Sequence, residues 1–139
     1  MSDSFPIKRL SGPLDALIVD DEPEICETIK MYLEDLELFR NIVIATNGQE
    51  AQLKISNQHF ALILLDINMP KKSGIELLNN MPALHQDLKR VIMVSGELDQ
   101  TKLKLSISKG VKNFIIKPFD EETFLKKIAE VLLKAEKRV

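Results

Sequence analysis

The segment LILLDINMP at residues 62–70 runs four apolar residues into a carboxylate, Asp66, before a proline stops it. An ionised carboxylate at the edge of an apolar core is costly unless something pairs with it or the group reacts. Other apolar runs end in the same way: DALIV on Asp20 and Asp21, RVIMV on Ser95, and NFII on Lys117. Taken singly, the acids could serve a following helix N-terminus, the serine a turn, and the lysine could snorkel. Together they are three acids, one hydroxyl and one cation in one kind of position. Two unit negative charges about 4 Å apart repel by about 4 kcal/mol at a surface-like dielectric, so three clustered carboxylates call for a cation or for protons. A donor set of oxygens, with no histidine or cysteine at ligand spacing, suits a hard ion, magnesium before calcium. Mg²⁺ held by a few carboxylates completes its shell with waters and phosphate oxygens. The implied chemistry is phosphoryl transfer, with a carboxylate as nucleophile, a metal and a lysine neutralising the phosphoryl oxygens, and a hydroxyl donating to them.

The elements that must position these residues are legible as an alternation. A strand over 15–20 precedes a helix with Pro23 in its first turn, running to about Leu38 with Ile25, Ile29, Leu33 and Leu36 on one face. The β-branched run 41–46 ends at Asn47 and Gly48, and a polar-rich helix continues to about Asn57. After the strand ending at Asp66, a helix is expected from Ser73, its N-cap, to about Leu84, then a strand over 90–95. A weaker helix near 98–108, with Leu103 and Ile107 on one face, stops at Gly110. NFIIK makes the fifth strand, and Asp120 caps a last helix whose Phe124, Ile128, Val131 and Leu132 share a face. Near-continuous apolar strands alternating with helices predict an α/β fold, doubly wound, with helices on both faces of a five-stranded parallel sheet. In such folds the site lies beyond the carboxyl ends of the strands, where the five polar residues fall.

The 139 residues suit one domain, expected over 14–139 after a flexible N-terminal extension over 1–13 rich in Ser, Pro and Gly. Nineteen basic and 21 acidic residues give a net charge of -2, which supplies no overall positive field for nucleic acid or an anionic membrane. The single cysteine, Cys26, lies in an apolar-periodic stretch and reads as a small buried residue. With neither a signal peptide nor a long apolar run, a cytoplasmic location is expected. His59 and His85 read as surface or loop residues.

DALIVDDEPEI, LILLDINMPKKSGIELL, VIMVSG and NFIIKPF, in this order, resemble the CheY-like receiver domain of two-component response regulators over about residues 14–136. The resemblance implies the flavodoxin-like strand order 2-1-3-4-5 and a phosphoacceptor role for Asp66, served by a sensor histidine kinase or a phosphotransfer protein. It implies that Asp21, Asp66 and the backbone carbonyl of Asn68 hold Mg²⁺, or Mn²⁺ as a substitute, with Asp20 assisting through water. Ser95 would hydrogen-bond the phosphoryl group and Lys117 would pair with it, next to a peptide bond before Pro118 that is usually cis in the family. Phe114 matches the family's switch aromatic and equally suits the core of the fifth strand. Lacking a hydroxyl, it would signal through ring packing alone. Asn68 and Glu97 carry residue types found in a fast-cycling chemotaxis regulator, and are expected to tune the lifetime of the phosphorylated state.

Output is expected through the fourth helix, fifth strand and fifth helix, made partly basic by Lys104, Lys112, Lys126 and Lys127, toward a downstream protein. The expected form is a stand-alone single-domain regulator that phosphorylates and dephosphorylates itself at Asp66, with a receiver fragment of a longer regulator as the alternative. An aspartate-nucleophile phosphohydrolase of the haloacid-dehalogenase type fits poorly, because DIN lacks that family's second aspartate and lies on the third strand. A degenerate receiver fits poorly as well, since all five polar positions are intact.

Overall fold

The computed structural model describes residues 14–67, 69, 74–84, 86–96 and 100–136. Among them, five strands alternate with five α-helices: β1 (Leu14–Val19), α1 (Pro23–Asp35), β2 (Phe39–Ala45), α2 (Gly48–Asn57), β3 (Leu62–Asp66), α3 (Gly74–Asn80), β4 (Val91–Gly96), α4 (Gln100–Ser108), β5 (Asn113–Lys117) and α5 (Glu121–Glu136). The strands form one parallel sheet in the order β2-β1-β3-β4-β5. The expected fold class and strand order are those observed.

Apolar residues on both faces of the central strands make this a two-sided fold, because successive strand side chains point to opposite faces. Ala16, Ile18, Leu62, Leu64, Ile92, Val94 and Ile115 face one way, where Cys26, Ile29 and Leu33 of α1 and Phe124, Ile128 and Val131 of α5 cover them. Leu17, Val19, Ile63, Leu65, Val91 and Met93 face the other way, under Ala51 and Ile55 of α2 and Leu77 and Leu78 of α3. At the amino end of β1, the buried Asp15 accepts hydrogen bonds from Arg40, Asn41 and Gln58. The Arg40 guanidinium beside it holds its carboxyl below the usual range, against the opposing pull of burial.

Several helix ends differ from the sequence expectation. α1 stops at Asp35 rather than near Leu38, since Leu36 turns into the core and Glu37 takes φ +54, a left-handed terminus with no glycine to announce it. α3 ends at Asn80 and a 3-10 turn over Pro82–Leu84 follows, because proline offers no N–H and disfavours helical backbone at Met81. The expected N-cap Ser73, His85 and the extension over 1–13 lie outside the described residues. In α4 the inward face is Leu103 with the buried Ser106, while Ile107 is exposed; the Ser106 hydroxyl donates to the Lys102 carbonyl. Gly110, at φ +108, closes that helix with bonds from Gly110 N–H to Ile107 and from Val111 N–H to Ser106, the paired arrangement a left-handed residue permits. Asn47 is the N-cap of α2, accepting from the Glu50 N–H, and Asp120 does the same for α5 through the Thr123 N–H.

Candidate functional site

Strand alternation decides which side chains meet beyond the carboxyl ends. Along β1 and β3, the residues facing α1 and α5 are Ala16, Ile18, Leu62 and Leu64, so the same phase brings Asp20 and Asp66 to that side. Lys117 follows in phase with Ile115. Ser95 takes the opposite phase with Met93, in register with Ile116 and on the side of Phe114. Asp66, Ser95 and Lys117 are strand residues, and Asp20 and Asp21 follow directly on β1.

Asp20, Asp21 and Asp66 each offer a carboxylate oxygen within 4.8 Å of the others. Asp20 and Asp66 are buried and Asp21 is exposed, so the cluster has a floor and an open rim. Lys117 Nζ lies 2.9 Å from Asp20 Oδ2, 3.1 Å from Glu22 Oε1 and 3.8 Å from Asp66 Oδ1. Asp20 Oδ1 accepts from the Glu22 N–H at 2.9 Å, which uses both oxygens of Asp20. Burial pushes the Asp20 carboxyl above its usual range, opposed by the Glu22 N–H and the Lys117 ammonium. Burial acts to lower Lys117, but the carboxylates of Asp20, Asp66 and Glu22 outweigh it and raise the ammonium, so Lys117 stays charged. Asp20, Asp21 and Asp66 bring three carboxylates together, and an all-oxygen donor set of this kind fits a hard divalent ion.

Ser95 Oγ is fully buried and has no hydrogen-bond partner among the described residues. Buried hydroxyls are nearly always satisfied, so this one stands out. The peptide bond between Lys117 and Pro118 is cis, as the resemblance implied. Phe114 is half-buried and packs against the core on the α4 side. Cys26 is buried beneath the site, its thiol donating to the Asp20 carbonyl at 3.3 Å and pushed up to about 11, chiefly by burial. His59 is exposed. Asn68 and Glu97 lie outside the described residues.

Two residues at the site carry roles that the sequence reading did not assign. A Cβ on Gly74 would overlap the Asp66 carbonyl oxygen and come 3.3 Å from Ile67 Cα, while the Gly74 N–H donates to the Ile67 carbonyl at 3.2 Å. The start of α3 thus seats directly on the backbone that carries Asp66. The available signal was a glycine opening an apolar-periodic run shortly after the acid. The other residue is Glu22, whose reach to Lys117 spans 95 positions and has no local signature.

The family model described as the response regulator receiver domain matches residues 16–129. The transcriptional regulatory protein MalR of Bacillus subtilis is 36% identical over 111 residues, covering 80% of this chain and 47% of that protein. CpxR of Escherichia coli, also a transcriptional regulatory protein, is 33% identical over 116 residues, covering 84% of this chain and 48% of CpxR. The chain spans about half the length of the curated relatives it matches. Among solved structures, a CheY-like response regulator receiver domain protein of Methanospirillum hungatei superposes with a TM-score of 0.82 at 33% identity, over 92% of this chain and all of that one. With its sheet order, its strand-end cluster and a match over most of its length, the chain belongs to the response regulator receiver domain family.

Proposed function

We propose that the receiver accepts a phosphoryl group on Asp66 from a phosphohistidine of a sensor histidine kinase or phosphotransfer protein. The observation that carries this reading is the orphan Ser95 hydroxyl, one residue beyond Val94, the register partner of Asp66. An Asp66 carboxylate oxygen attacks phosphorus, the P–N bond breaks, and its electron pair leaves with the imidazole, which takes up a proton. The product is an acyl phosphate whose oxygens accept from the Ser95 hydroxyl and pair with the Lys117 ammonium. Return to the resting state is attack of water on phosphorus, release of inorganic phosphate and recovery of the Asp66 carboxylate. Asp21 and Asp66, with the Asn68 carbonyl, would hold Mg²⁺ or Mn²⁺, with Asp20 assisting through water, and the ion would supply positive charge for the phosphoryl oxygens. The side chains of Asn68 and Glu97 set how readily water reaches phosphorus.

The signal leaves on the side to which Ser95 points, where Phe114, Ile116 and α4 lie. The surface of α4, β5 and α5 is the output face, with Phe114 adjusting its ring packing as Ser95 and Lys117 engage the phosphoryl group. Lys126 and Lys127 on this face are paired with Glu122 and Glu130, which blunts its basic character. The target is a protein and not nucleic acid or membrane directly, and the setting is the cytoplasm. A second reading of the output follows from the coverage of MalR and CpxR, in which the matched part is about half the protein. On that reading the same face acts on the output portion of a longer regulator instead of a separate target.

Intact-mass measurement after incubation with acetyl phosphate tests the acceptor role. One added phosphoryl group is expected with Mg²⁺, and none after chelation or in Asp66→Asn. A gain in the variant or without metal would overturn the assignment.

A further inference from the structure

Glu22 occupies the N-cap position of α1, yet its carboxylate makes no bond to that helix. Asp, Asn, Ser or Thr there would fold back on the first-turn N–H groups. Glutamate is one methylene longer than aspartate, and its Oε1 instead accepts from Lys117 Nζ at 3.1 Å. The Glu22 N–H donates to Asp20 Oδ1, and Asp20 Oδ2 takes Lys117 at 2.9 Å. The ammonium is therefore held within hydrogen-bond distance of two acids at the start of α1, while the nearest Asp66 oxygen it pairs with stands at 3.8 Å. Asp20 is 2% exposed and Glu22 60%, so Glu22 is the solvent-side member of this clamp.

We propose that Glu22 is a positioning residue that restrains Lys117 in the resting state and cancels part of its charge toward small anionic phosphodonors, slowing their reaction at Asp66. The inference rests on Asp66 being the phosphoacceptor. An anion approaching phosphoryl transfer needs the Lys117 charge directed at its own oxygens, and a carboxylate already bonded to that ammonium competes for it. The competition is an exposed charge effect, so it is modest in size and screened by salt.

The test compares wild type, Glu22→Gln and Glu22→Lys by the slope of phosphorylation rate against acetyl phosphate concentration, with Mg²⁺ saturating for each protein. At low ionic strength the slope is expected to rise about two- to fivefold in Glu22→Gln, the range an exposed ion pair can carry, and at least as much in Glu22→Lys. Near 1 M salt, where the screening length falls to about 3 Å, the three slopes are expected to converge. Equal slopes at low salt, a reversed order, or a difference undiminished by salt overturns the role of Glu22 and leaves Asp66 as the acceptor. Failure of wild type to gain any phosphoryl group overturns both.

Discussion

The buried Ser95 hydroxyl has no partner among the described residues, and a buried hydroxyl left unsatisfied costs about 1–3 kcal/mol in desolvation. Removing it should relieve that cost while depriving a phosphoryl group of a donor. Ser95→Ala is accordingly expected to leave the urea midpoint unchanged or raise stability by about 1 kcal/mol, and to slow phosphorylation by about tenfold or more. A destabilised variant with normal phosphorylation would mean that the hydroxyl is structural. The meeting of Asp20, Asp21, Asp66 and Lys117 was legible because a polar residue directly after an apolar run marks a strand end, and parallel strands bring such ends together. Glu22 was not legible, because its partner Lys117 is 95 positions away and an acid at an N-cap has a sufficient local explanation.

Elements hold the site through backbone contacts as much as through side chains. The α3 terminus packs on the carbonyl of Asp66 at Gly74, with no room for a methyl group. Gly74→Ala must move the helix or the acid, an overpacking cost of about 1–3 kcal/mol, read as a lower denaturant midpoint with phosphorylation reduced alongside it. An unchanged midpoint would show that α3 yields freely there. The existence and order of the elements could be read from apolar runs and turn residues, whereas helix ends were harder. Glu37 takes a left-handed conformation without being glycine, and Ser106 instead of Ile107 faces inward on α4, both decided by tertiary packing that a periodicity argument does not see.

The described residues form a two-sided sheet with a cluster of acids at one end. Asp20 and Asp66 stand at the ends of central strands with apolar clusters behind them on both faces, and Lys117 pairs with both. Trapping the acyl phosphate shows whether Asp66 is the residue that reacts. Wild type treated with Mg²⁺ and acetyl phosphate is reduced with borohydride, which converts an aspartyl phosphate to homoserine, and its peptides are mapped by mass spectrometry. The account predicts conversion at Asp66 alone, lost on chelation of the metal. Conversion at Asp20 or Asp21, or undiminished labelling of Asp66→Asn, would contradict it.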